Sequence, residues 1–80
     1  MDADQIMKEV NNIFIDVLDE DEIAVSRDTT ADDIEDWDSL THVQLVVAIE
    51  KHFGIKFTSS EIRNFRNVGE MCDSILEKTR

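Results

Sequence analysis

Apolar residues near the start of the chain recur in steps of three and four: Ile6, Met7, Val10, Ile13, Phe14, Val17 and Leu18. That period matches the turn of an α-helix and predicts an amphipathic helix over residues 4–18, with Asp2 or Asp4 able to cap its start. Its apolar stripe reads as core rather than as a partner-binding face, because no other long helix is free to bury the core. The pattern stops at Asp19. From there to Asp38 the chain is dominated by Asp, Glu, Thr and Ser, with Ile23, Ala24, Val25, Ala31, Ile34 and Trp37 as its only apolar residues. This predicts a long ordered loop pinned to the core, and loops of this length are functional or disordered.

Helical periodicity resumes over residues 39–53, after Asp38 as a cap and before Gly54, the residue type best suited to a left-handed helix end. Here the apolar positions split into two stripes at about 100° per residue. Leu45, Val46, Ile49 and Phe53 suffice to bury one face, while Leu40, Val43 and Val47 form a second stripe close to Ser39. Two readings of the second stripe stand: a partly exposed surface for a partner or ligand, or a helix buried nearly all round. Thr58-Ser59-Ser60-Glu61 has the spacing of a capping box and opens a short helix holding Ile62 and Phe65. Asn67 offers a weaker cap before a last helix with Val68, Met71, Cys72, Ile75 and Leu76 on one face. With no proline and no convincing strand alternation, the fold expected is an all-α bundle of three longer helices and one short one, with a long first loop.

Eighty residues leave room for a single domain, 1–80, and exclude a large enzyme with its own pocket. No uncharged apolar run is long enough to span a membrane, and the first residues lack a basic stretch followed by an apolar core, so a soluble cytoplasmic protein is expected. Net charge is −11, the wrong sign for nucleic acid or anionic lipid. It is also uneven: residues 1–40 hold 14 acids and 2 bases, residues 41–80 hold 5 acids and 6 bases. A basic partner should therefore approach the first half. A core this small supplies about 3–5 kcal/mol, so crowded carboxylates predict marginal, salt-sensitive stability.

Catalytic constellations are nearly absent. No window of the acidic loop has the ligand spacing of an EF-hand, and there is no glycine-x-serine-x-glycine elbow or glycine-rich phosphate loop. His42 and His52 stand ten residues apart and read as solvated helix positions; Cys72, alone, reads as a buried inert thiol. What stands out is Asp38-Ser39-Leu40, a hydroxyl at the first turn of a helix, beyond an acidic loop. A phosphate ester there would meet unpaired amides and the positive end of the helix dipole. By spacing alone, Ser39 reads first as an ordinary first-turn residue.

Trp37-Asp38-Ser39-Leu40, followed by Val43, Leu45, Val46, Ala48, Ile49, Phe53-Gly54-Ile55 and the helix from Asn67, resembles the acyl carrier protein family over nearly the whole chain. The resemblance implies that a phosphopantetheinyl transferase moves phosphopantetheine from coenzyme A onto Ser39, and that the thiol of this arm carries acyl groups as thioesters. It implies a carrier without turnover of its own, serving fatty acid, polyketide or specialised lipid biosynthesis. Its further partners would be acyl- or aminoacyl-loading synthetases and pathway enzymes with basic docking surfaces, with no nucleic acid, no metal and no membrane insertion, and with the chain a monomer.

Asp36, Asp38, Leu40, Val43, Val47 and Glu50 flank Ser39 with a mixed acidic and apolar surface, and are the expected partner-recognition residues. Many fatty-acid-synthase carriers have several acids on the helix after the serine, whereas Thr41, Gln44, Lys51 and His52 stand here and Glu50 alone is acidic. This points to a dedicated pathway. An aminoacyl carrier resembling D-alanyl carrier proteins is the nearest alternative, and an unmodified acidic helical adaptor is a third. Parting of the Ser39 helix from the short helix, beside Leu40, Val43 and Val47, is the expected route by which an acyl chain would enter.

Overall fold

Asp2 opens the first helix: its carboxylate accepts the amide of Gln5 at 2.8 Å, and α1 runs over Ala3–Leu18. In the computed structural model, which describes residues 2–79, three more α-helices follow: α2 over Ser39–Phe53, α3 over Ser59–Asn64 and α4 over Val68–Thr79. A single 3-10 turn, Ala31–Asp33, interrupts the first loop. The architecture is the all-α bundle expected, with α3 the short member.

Each boundary has a local cause. Asp19 ends α1 in the left-handed region (φ 53°), with its amide returning to the Ile15 carbonyl, and Gly54 ends α2 in the same way at φ 68°. Thr58 and Glu61 cap α3 reciprocally, as the capping box predicts. Asn67 accepts the Glu70 amide at 2.9 Å to start α4.

α1 packs on both α2 and α4. Ile6, Val10 and Phe14 from α1, Leu45, Val46 and Ile49 from α2, and Val68, Met71, Cys72 and Ile75 from α4 form the core, closed by Trp37 and Phe57 from the connections. Each such aliphatic or aromatic side chain contributes about 1.5–3 kcal/mol on leaving water. Cys72 is buried among them and desolvation pushes its thiol up to about 11, which makes it the inert group expected.

The first loop is held at both ends and in the middle. Asn11 on α1 accepts the Val25 amide at 2.7 Å, and the carbonyls of Thr29 and Arg27 accept the amides of Val68 and Gly69, each at 2.9 Å. Arg27 also pairs with Asp73 at 2.9 Å. A Cβ at position 69 would stand 2.9 Å from the Arg27 carbonyl oxygen, so this close approach of loop to helix requires glycine. Of the six expected anchors, Trp37 is buried and Ile23, Val25 and Ile34 pack partly against the core, whereas Ala24 and Ala31 are exposed. A methyl group gains too little from burial to hold a loop against its entropy.

Candidate functional site

Ser39 is the first residue of α2 and is exposed. The two residues before it fix its place. Trp37 is buried edge-on against Phe14, ring centroids 5.0 Å apart. Asp38 is the cap of α2: its Oδ1 accepts the amides of Leu40 at 3.0 Å and Thr41 at 2.9 Å. Thr41 returns the contact, its Oγ1 accepting the Asp38 amide at 2.8 Å while donating to the Asp36 carbonyl at 2.7 Å. The Thr41 amide foremost, with the Thr41 hydroxyl and the Leu40 amide, holds the Asp38 carboxyl below its ordinary value. The chain therefore turns into α2 through a closed ring of hydrogen bonds, and Ser39 projects from that ring.

This geometry corrects one expectation. Of the first-turn amides that a phosphate ester on Ser39 was to meet, those of Leu40 and Thr41 are bonded to Asp38 Oδ1 and that of His42 to the Asp38 carbonyl at 2.8 Å, while that of Ser39 has no acceptor among the described residues. An intrinsic carboxylate already occupies the helix start, because a cap two or three residues away closes with almost no loop entropy.

His42 corrects another. It is half-buried rather than solvated: the indole Nε1–H of Trp37 donates to His42 Nδ1 at 3.1 Å, and His42 Nε2 lies 2.9 Å from the Ile62 carbonyl. Since an indole only donates, Nδ1 must accept and Nε2 must donate to Ile62. The imidazole, stacked on Trp37 at 6.0 Å, thus gives a core indole its acceptor and ties α2 to α3. His52 is exposed as expected, 2.6 Å from Glu9 on α1.

Between α2 and α3 lies a groove of about 440 Å³ with Ser39 on its rim. Trp37, His42 and Val43 form one wall, Ile62, Arg63, Phe65 and Arg66 the other. Where a chain was expected to enter between these helices lies this surface groove, and Val43 alone of the second stripe lines it. Val47 borders a separate depression with Glu50, Lys51 and Ile55, and Leu40 lines neither. The second stripe is exposed, by 69% at Leu40, 53% at Val43 and 41% at Val47, which decides against a helix buried all round.

The acidic recognition residues divide. Asp36 is exposed. Asp38 is engaged as the cap, and Glu50 is half-buried with Oε2 accepting the Phe57 amide at 2.8 Å, bracing the turn after α2. Sequence reasoning missed the facing wall: Arg63 and Arg66, at i and i+3, are two bases in an acidic chain, and that spacing was the available signal. Among the described residues no cluster of His, Cys, Asp and Glu could hold a metal ion, and no helix is long and apolar enough to cross a membrane. An exposed hydroxyl at a rigid helix start, beside a groove of mixed apolar and basic lining, fits a covalently attached, flexible phosphate-linked arm.

Comparison with known proteins agrees. Residues 8–75 match the family described as phosphopantetheine attachment site. The acyl carrier protein of Petrotoga mobilis is 32% identical over 78 residues, covering 98% of this chain and 92% of its own. That of Picosynechococcus is 36% identical over 75 residues, covering 94% and 93%. The solution structure of a holo acyl carrier protein from Geobacter metallireducens superimposes with a TM-score of 0.86 at 40% identity, over 91% of this chain and 84% of that one. A four-helix bundle with an exposed serine at the start of its second long helix, matched along nearly its whole length by such relatives, belongs to the acyl carrier protein family, whose members are phosphopantetheine-bearing carriers and not enzymes.

Proposed function

We propose that Ser39 is the residue that bears the phosphopantetheine, and that residues 1–80 act as a single monomeric carrier domain in the cytoplasm. The observation that carries this is the position of Ser39: exposed, first in α2, held by the Asp38–Thr41 ring and opening on the groove. When attached, the arm supplies a thiol that holds acyl groups as thioesters. The chain's own residues present the attachment point and offer surfaces to partners. Asp36 and the acids of residues 19–38 draw in a basic enzyme, and exposed Leu40, Val43 and Val47 supply the apolar grip.

Incubation with coenzyme A and a promiscuous phosphopantetheinyl transferase tests the assignment by intact mass. Wild-type protein should gain one arm and the Ser39→Ala variant none, with both melting alike. A gain by the alanine variant would remove Ser39 from the role, and no gain by wild type would favour the acidic adaptor.

The apolar part of the groove, Trp37, Val43, Ile62 and Phe65, favours an acyl over an aminoacyl cargo, and with it fatty acid, polyketide or specialised lipid biosynthesis. Burial is worth about 0.8 kcal/mol per methylene, so melting temperature should rise along a series of acyl arms of increasing length. A flat series would shift the reading to an aminoacyl carrier resembling D-alanyl carrier proteins.

A further inference from the structure

The groove beside Ser39 carries charge of one sign on one wall. Arg63 and Arg66 line it opposite α2, and neither guanidinium has a carboxylate within 4.0 Å among the described residues. Lys8, Lys51 and Lys56 are likewise without such a partner, whereas Arg27 and Lys78 have one; what sets Arg63 and Arg66 apart is that both line the groove that holds Ser39. Arg63 sits in the last turn of α3, where a cation suits the helix dipole, but this explains neither Arg66 nor their common orientation toward the groove.

On the opposite wall an added anion would find few open donors, the amide of Ser39 itself being the one first-turn amide with no acceptor among the described residues. The amides of Leu40, Thr41 and His42 are bonded to Asp38, and both nitrogens of His42 are engaged by Trp37 and Ile62. The carboxylate of Asp38 adds repulsion. A single open amide beside a carboxylate leaves most of the charge of an anionic ester on Ser39 uncompensated on this side, and Arg63 and Arg66 are the cations that line the groove. Guanidinium groups suit a phosphate, which they can meet with paired N–H donors.

We propose that Arg63 and Arg66 seat the phosphodiester of the phosphopantetheine arm, so that the base of the arm rests across the groove toward α3 instead of projecting freely from α2. The inference rests on attachment at Ser39. Of the arm's parts, the phosphate is bonded directly to Ser39 Oγ, which is why it, and not a charged cargo at the distant thiol, is the anion assigned to this wall. Arg63 and Arg66 act here as positioning residues. They fix the direction in which the arm leaves the helix and help screen the phosphate from Asp38.

The test compares wild type with an Arg63→Gln/Arg66→Gln variant and, as a control that removes equal charge outside the groove, a Lys51→Gln/Lys56→Gln variant. Each is converted to the holo form with a promiscuous transferase and checked by mass. Phosphorus NMR of the holo proteins and the guanidinium Nε–Hε resonances of apo and holo wild type are then recorded from low to about 1 M salt, where the Debye length falls to about 3 Å. The expected result has three parts: Arg63 and Arg66 resonances that shift on conversion, a phosphorus resonance displaced in the arginine variant but not in the lysine control, and a displacement that fades with salt. Unmoved guanidinium resonances, or equal displacement in both variants, would overturn the seat while leaving attachment at Ser39 intact. Absence of the mass gain in wild type would overturn both.

Discussion

α1 and α2 are nearly equal in length and both pack into the core, yet they treat their apolar residues differently. α1 buries Ile6, Val10, Ile13, Phe14 and Leu18 and leaves no large apolar side chain exposed. α2 buries Leu45, Val46 and Ile49 and leaves Leu40, Val43 and Val47 in water. The exposed three follow directly on Ser39 along the same helix. A fold requires only the stripe that faces its core; apolar residues beyond that stripe lower solubility without adding stability and are explained by a surface that other molecules grip. In this chain folding and recognition occupy two sides of one helix.

The comparison breaks most sharply in the core. Phe14→Ala in α1 and Ile49→Ala in α2 should each cost about 2–5 kcal/mol, comparable to the whole stability of so small a domain. Thermal melts followed by circular dichroism should show both variants largely unfolded at room temperature, and a well-folded Ile49→Ala variant would show that α2 contributes less to the core than α1.

A smaller effect is expected where α2 begins. Asp38→Ala removes a carboxylate that caps two amides and should cost about 1 kcal/mol, whereas Ser39→Ala beside it should leave the melt unchanged. Equal losses at the two positions would contradict the division between cap and attachment point.

The acid titration of α3 is a further step down. Glu61 is held at about 2, chiefly by the Thr58 amide and then by Lys78 at 3.1 Å and the Ser74 hydroxyl at 3.1 Å. Because this lies below the ordinary 4.5, the stabilisation is fully present above about pH 4.5 and is lost as pH falls through about 2. The gap in melting temperature between wild type and Glu61→Gln should therefore narrow over that window; a constant gap would remove the charged cap.

The smallest effect on stability belongs to the exposed stripe. Leu40→Ala and Val43→Ala should change folding by no more than about 0.5 kcal/mol, yet lower the transferase kcat/KM by about tenfold if each anchors about 1.4 kcal/mol of binding. Asp36→Lys should slow the same reaction at low salt and not at high salt. Rates insensitive to all three changes would return the stripe to a surface without a partner.

Helix positions, their caps and most of the core were legible in the sequence, because they depend on residues no more than four apart: Asp2 with Gln5, Asp38 with Thr41, Thr58 with Glu61, and the three-and-four spacing of the apolar stripes. Ser39 was legible as a first-turn hydroxyl, and as an attachment point through the family resemblance of its surroundings. The tertiary structure alone decided what joins distant segments. It turned His42 inward as a bridge to Ile62, twenty residues on, bonded Glu50 to the turn at Phe57, demanded glycine at position 69 beneath Arg27, and set Arg63 and Arg66 across a groove from Ser39. Local hydrogen bonds and periodicity act along the chain and can be read there; which donors and charges meet across a groove depends on how the helices pack, and no short-range spacing encodes it.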